Sequence, residues 1–250
     1  MSSNNNLFDV NGKVVIVTGA NRGNGLAISE GLAELGAKVI RVDKKFDKII
    51  GSYDVVFDLK DISKIKILVD SIVDRYGSID GLVNNAGVSG VSVPAQDPYD
   101  DNEAYNTTFD INLHAPFKLC AEVCKVMARS GCGSIVNITS LGAKLGFPNN
   151  PSYQMTKSAL QQLTKAIAYD WSPKGIRINN ICPGYIKTKM TEKSFNDEVL
   201  NKDRLDRMLI KRWGEPEDLV GPTVFLLSNA SSYITGSDVV VDGGWLSGGL

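Results

Sequence analysis

The run Lys13-Val-Val-Ile-Val-Thr18 leads straight into Gly19-Ala-Asn-Arg-Gly-Asn-Gly25, and no other stretch constrains the fold as much. A short apolar run without polar alternation reads as a strand covered on both faces. A helical period follows from about Asn24 to Leu35, closed by Gly36 at the C′ position. Glycines 19, 23 and 25 permit a tight turn, close approach of backbone to a ligand, and close packing of helix on strand. The helix start adds free N–H groups and the positive end of a dipole, so the junction suits a pyrophosphate. Asn21, Arg22 and Asn24 occupy the loop between these glycines. A glycine-rich turn alone is a weak sign. Here it lies between a predicted strand and a predicted helix, which is the context that gives it meaning.

The alternation continues along the chain. Further strands are expected at Ala37–Asp43, Asp54–Asp58, Gly81–Asn84, Gly133–Ile138, Arg177–Ile181 and Asp238–Asp242. Helices are expected at Ile62–Tyr76, Leu113–Met127, Tyr153–Trp171 and Pro216–Leu227. Strand and helix in turn imply an α/β, Rossmann-like, doubly wound parallel sheet of about seven strands with helices on both faces. No linker, repeat or low-complexity segment divides residues 1–250. One domain is expected, with 1–12 as an N-terminal tail and about 185–213 as a substrate lid carrying Lys187, Lys189, Lys193 and Arg204.

Composition excludes several classes. Formal net charge is −1, which leaves no electrostatic footprint for nucleic acid or an anionic membrane. The first twelve residues lack the basic start and apolar run of a signal peptide, and no stretch approaches a membrane span. Cys120, Cys124, Cys132 and Cys182 with the single His114 make no convincing metal set, so free thiols in a cytoplasmic protein are expected.

Two further features carry chemistry. Asp43 ends the second strand, where a carboxylate accepts from both ribose hydroxyls and repels a 2′-phosphate, favouring NAD over NADP. Arg22, Arg41, Lys44 and Lys45 are the rival cations that would receive such a phosphate. Tyr153 and Lys157 stand four apart and share a helix face, where a cation near a phenol stabilises the phenolate. Asn150-Pro151 before them reads as an N-cap followed by Pro at N1.

Together these residues resemble the short-chain dehydrogenase/reductase family along nearly the whole chain. Thr18-Gly19-x-x-x-Gly23-x-Gly25 is similar to its cofactor loop, and Asn84-Asn85-Ala86-Gly87 to its turn after the fourth strand. Asn112, Ser140 thirteen residues before Tyr153, and Pro183-Gly184 fall in its order. The resemblance implies hydride transfer, with Tyr153 as acid/base and Ser140 donating to the substrate oxygen. Lys157 would lower the Tyr153 pKa and hold the nicotinamide ribose, and Asn112 would anchor a proton-relay water. It further implies Asp58 and Leu59 beside the adenine, Asn85, Ala86 and Gly87 near the adenosine ribose, and Ile186 and Thr188 at the carboxamide. A homotetramer or homodimer is implied too, through the helices 113–127 and 153–171 and the last strand.

Departures are informative. Asn24 replaces an apolar residue usual in the family. Asp43 to Asp58 is too short for a full helix. The segment Val88 to Asn106 is long and rich in Asp97, Tyr99, Asp100, Asp101, Asn102 and Tyr105. Lys144, Asn149 and Asn150 give the expected substrate lining a polar character, which points to a sugar, polyol or hydroxy acid. The rival readings are an NADPH-dependent 3-oxoacyl-thioester reductase and a non-catalytic NAD-binding sensor or scaffold.

Overall fold

The computed structural model describes residues 7–47, 53–90 and 102–248. Seven strands form its core: β1 Val14–Thr18, β2 Lys38–Asp43, β3 Asp54–Val56, β4 Gly81–Asn84, β5 Gly133–Ile138, β6 Ile176–Pro183 and β7 Asp238–Val241. They make one sheet in the order β3-β2-β1-β4-β5-β6-β7, with every neighbouring pair parallel. Eight α-helices accompany it among the described residues: α1 Gly23–Glu34, α2 Ile65–Tyr76, α3 Asn102–Phe109, α4 Ala115–Ser130, α5 Pro151–Trp171, α6 Glu192–Asn196, α7 Glu198–Arg207 and α8 Val220–Leu227.

The apolar strands divide their side chains between two cores, since successive residues point to opposite faces. Val14 and Ile16 of β1 join a core with α2, α4 and α5. Val15 and Val17 join the other, with α1 and α8. Both faces of the sheet are therefore covered, as the unalternating strands require. The strand order reverses between β1 and β4, which opens a crevice at their C-terminal ends.

Two elements differ from expectation, and the short link after β2 agrees with it. The helix expected from Leu113 begins earlier, as α3, a π turn over Asp110–His114, and then α4. Pro116 has no N–H to bond four residues back, which favours the widened turn. Between Asp43 and Asp54 the described residues hold no helix; residues 48–52 lie outside them. The tail is packed from Leu7 onward: Val10 is buried, and the Leu7 carbonyl accepts from Ala230 N–H at 2.9 Å. No described helix is long and apolar enough to cross a membrane.

A chain of buried amides and hydroxyls ties the later strands together. Asn84 donates to Asn137 (2.8 Å), Asn137 to Thr164 (2.8 Å), Thr164 to Asn180 (2.6 Å), and Asn180 to Asp238 (2.8 Å). Each link hands its bond to the next and so fixes strand and helix positions, with the Asn84 Oδ1 at its head left without a partner.

Candidate active site

The crevice at the strand ends opens into a cavity of about 1210 Å³. At one end lie Gly19, Asn21, Arg22, Gly23, Asn24, Asp43, Asp58 and Leu59; the middle is walled by Asn85, Ala86, Gly87, Ser140, Tyr153 and Lys157. Pro183, Gly184, Ile186 and Thr188 close the far wall. Of the expected catalytic and cofactor residues, Gly25 and Asn112 do not line it.

Gly25 has a packing role instead. A Cβ there would stand 2.2 Å from the Gly19 carbonyl oxygen and 2.4 Å from Asn85 Nδ2. Gly19 (φ +66°) and Gly23 (φ +55°) take the left-handed conformation that the loop needs. Asn85 staples this loop: its amide donates to the carbonyls of Thr18 (2.9 Å) and Gly19 (3.2 Å). Its backbone N–H and that of Ala86 both donate to Thr18 Oγ1 at 3.1 Å. The result is an open concave backbone over the N-terminus of α1, which fits a dinucleotide pyrophosphate. Asn24 Oδ1 is buried there without a hydrogen-bond partner.

At the adenosine end Asp43 accepts from the Asn21 N–H (3.0 Å), which fixes its carboxylate in the cavity wall. Asn21 also exchanges two bonds with Asp47. Arg41 does not line the cavity. Its guanidinium grips Asp54 in a two-point bond, with both contacts at 2.6 Å and both side chains buried. Lys45 lies 3.4 Å from Asp47.

The reacting end is built on α5 and the segment after β5. Asn150 holds the N-cap position before Pro151, but its side chain makes no capping bond. Gln154, in the first turn of α5, does the tethering, with bonds to the Phe147 N–H and to the carbonyls of Phe147 and Asn150. Asn149 has φ 62°, the one left-handed non-glycine among the described residues, and it turns this segment into the cavity wall. Ser140 Oγ accepts from the Gly142 N–H at 3.0 Å. Lys157 Nζ donates to the Ile138 carbonyl at 2.8 Å and lies 5.8 Å from the Tyr153 ring centre. A Cβ on Gly87 would meet that Nζ at 3.5 Å, an ordinary contact distance, so Gly87 packs directly beside the ammonium. Asn112 is buried behind it, bonded both ways to the Val88 backbone at 2.9 Å and to Thr156 at 3.1 Å.

Burial pushes the Tyr153 phenol above its ordinary value of 10.0, and a hydrogen bond with Ser140 draws it partly back. The expected lowering by Lys157 does not prevail. Burial of the phenol itself is the larger effect. Burial also lowers the Lys157 ammonium from 10.5 to about 8, and one of its three N–H donors is spent on the Ile138 carbonyl. Lys144 is likewise not in the cavity lining. It pairs at 2.9 Å with Asp238, at the end of the amide chain described above. Of the Asp/Tyr-rich segment, residues 91–101 lie outside the described residues. Gln154 and the stapling role of Asn85 carry no sequence signal beyond their neighbourhood in the motifs.

A family profile described as enoyl-(acyl carrier protein) reductase matches residues 19–246. The 2-dehydro-3-deoxy-D-gluconate 5-dehydrogenase of Dickeya dadantii is 35% identical, over 97% of this chain and 98% of its own. The gluconate 5-dehydrogenase of Gluconobacter oxydans is 36% identical, over 97% and 98%. The chain belongs to the short-chain dehydrogenase/reductase family. As a member it is a nicotinamide-dependent oxidoreductase acting on CH–OH groups. Its fold superposes on a gluconate 5-dehydrogenase from Burkholderia cenocepacia, solved in complex with NADP and tartrate. The TM-score is 0.86 at 31% identity, covering 96% of this chain and 98% of that one. The ligand-free aldohexose dehydrogenase of Thermoplasma acidophilum matches with a TM-score of 0.87 at 32% identity, covering 96% of each chain.

Proposed function

We propose that this oxidoreductase moves a hydride between NAD, in preference to NADP, and a secondary alcohol of a small sugar acid. The observation that carries the reading is the convergence of Ser140, Tyr153 and Lys157 on one cavity that also holds the glycine loop. The relatives named for gluconate and its dehydro-deoxy derivative supply the substrate class. Asp43 supplies the cofactor preference, because its fixed carboxylate would repel a 2′-phosphate.

When bound, the nicotinamide accepts or gives the hydride; the chain's residues do the rest. Gly19, Gly23 and the start of α1 would hold the pyrophosphate, Asp43 the adenosine ribose, and Lys157 the nicotinamide ribose. Tyr153 takes the hydroxyl proton in oxidation and returns it in reduction. The Ser140 oxygen accepts from Gly142, which frees its own proton for the reacting oxygen. Asn112 clamps Val88 and thereby seats Gly87 against Lys157. Pro116 offers no N–H to the Asn112 carbonyl, and that oxygen is the relay-water acceptor in this scheme.

The free thiols, among them buried Cys120 and Cys124, accord with a reducing cytoplasm. A homotetramer through α4, α5 and β7 completes the proposal.

The test is nicotinamide absorbance across sugar acids, polyols and acyl thioesters, with NAD and NADP side by side. Turnover of a sugar acid with kcat/KM at least ~10-fold higher for NAD is expected from a fixed carboxylate at the ribose. A preference for acyl thioesters with NADPH would overturn it. Tyr153→Phe should lower kcat by about 1000-fold while dinucleotide binding survives; unchanged turnover would point to a binding protein instead.

A further inference from the structure

Three buried polar atoms beside the cavity lack a hydrogen-bond partner: Ser194 Oγ and Arg204 Nε on the lid, and Asn150 Oδ1 at the start of α5. All three residues line the cavity. Buried donors and acceptors in folded proteins are nearly always paired, so a cluster of unpaired ones beside a cavity points to a ligand that completes them. An unmet guanidinium donor asks for an acceptor, ideally an anionic one. An unmet amide oxygen asks for a donor, and a serine hydroxyl accepts either.

The charge balance supports the same ligand. Asp43 and Asp58 are the only carboxylates among the described residues lining the cavity, and both sit at the adenosine end. Arg204 is half-buried, with its guanidinium carbon 4.9 Å over the Tyr185 ring, which fixes its plane. Asp203 does not cancel it, because that carboxylate is shared: 2.8 Å from Arg204 Nη1 and 3.3 Å from Arg207 Nη2. Nη1 therefore faces Asp203, and Nε is left buried without an acceptor of its own. Of the other lid cations, Lys187 is paired with Glu215 at 2.6 Å, while Lys189 and Lys193 are exposed.

We propose that Arg204 is the residue that recognises the substrate carboxylate, with Ser194 and Asn150 receiving hydroxyl groups of the same polyhydroxy acid. This rests on the sugar-acid reading above and adds the residues that select the acid from its neutral counterpart. Ser194 sits on α6 and Arg204 on α7, whereas Asn150 adjoins the first turn of α5 that bears Tyr153. A substrate bridging them would span from lid to reacting end. Recognition of the far carboxylate would then position the alcohol near Tyr153.

The test compares a six-carbon keto acid with the neutral ketose of equal length, in reduction, for the wild type and Arg204→Gln, Arg204→Lys and Ser194→Ala. Dinucleotide affinity and melting temperature serve as checks on folding. Arg204→Gln should lower kcat/KM for the acid by about 100-fold through KM, as loss of a desolvated charge-assisted bond does. It should leave the neutral ketose nearly unchanged, so the acid-to-neutral ratio collapses. Arg204→Lys should fall between, because it keeps the charge and loses the planar edge. Ser194→Ala should raise KM for both substrates by a few-fold. An unchanged ratio in Arg204→Gln, whether both rates hold or both fall together, overturns the assignment while leaving the sugar-acid reading intact. A wild type that reduces no sugar acid overturns both.

Discussion

Burial acts on Tyr153 and Lys157 in opposite senses, raising the phenol and lowering the ammonium to about 8. Oxidation requires the phenolate, so a raised phenol moves the basic limb upward. The kcat/KM for oxidation should keep climbing through about pH 9 without a plateau, since that parameter reports groups of the free enzyme. Ser140→Ala removes the bond that lowers the phenol, so the limb should move further alkaline as kcat falls about 100-fold. A profile already level at neutral pH would exclude free Tyr153 as the titrating base. Lys157 gives a separate signature in stability. Below about pH 8 the lysine is charged in both folded and unfolded chains, and the folded one bears the whole burial penalty. As pH rises from about 8 towards 10.5 the folded chain sheds its proton first, and stability increases. The gain is on the order of 3 kcal/mol at most. Urea midpoints of dinucleotide-free protein at two alkaline pH values should rise by less in Lys157→Met than in the wild type. Equal rises would place the lysine's titration at its ordinary value.

At the scale of elements, the glycine loop shows how one missing side chain sets a binding surface. Alanine in place of glycine inside a helix ordinarily stabilises by about 1 kcal/mol. At Gly25 the new Cβ would stand 2.2 Å from backbone, which cannot yield as a flexible side chain would. The clash wins, so Gly25→Ala should destabilise by more than about 2 kcal/mol and abolish dinucleotide binding, read by thermal melts with and without NAD. Much of this level was legible beforehand. Strands such as Val14–Thr18 and Gly133–Ile138 announce themselves because both faces are buried, and α5 because Asn150-Pro151 marks its start. What was not legible depends on partners distant in sequence. The π turn at Asp110–His114 uses the same residue types as an ordinary helix, and Pro116 is its only trace. Lys144 looked like substrate lining because it stands between Ser140 and Tyr153. Its partner Asp238 lies 94 residues away, and only the fold brings that carboxylate near. Arg41 looked free for a phosphate for the same reason, until Asp54 is seen beside it on the neighbouring strand.

For the whole molecule, the question is what covers the outer faces of α4 and α5. Each helix follows a strand of one parallel sheet, so the two run in the same direction. Phe117 near the start of α4 is 52% exposed, and Tyr169 near the end of α5 is 87% exposed. A two-fold axis between copies reverses the helices of one relative to the other, which brings Phe117 of one copy towards Tyr169 of the next. Such an isologous contact uses each aromatic twice. β7 ends the sheet with Val240 exposed at 40%, an edge that a second axis would cover. Two such axes at right angles generate the proposed tetramer. Sedimentation at micromolar concentration should therefore give four times the chain mass. Phe117→Glu combined with Tyr169→Glu should place like charges in the helix interface and leave dimers joined through β7. Melting of that double variant should become concentration-dependent in a lower range than the wild type, because assembly stabilises by mass action. A wild type sedimenting as a monomer would remove the tetramer, and an unchanged tetramer in the double variant would remove α4 and α5 from its interface.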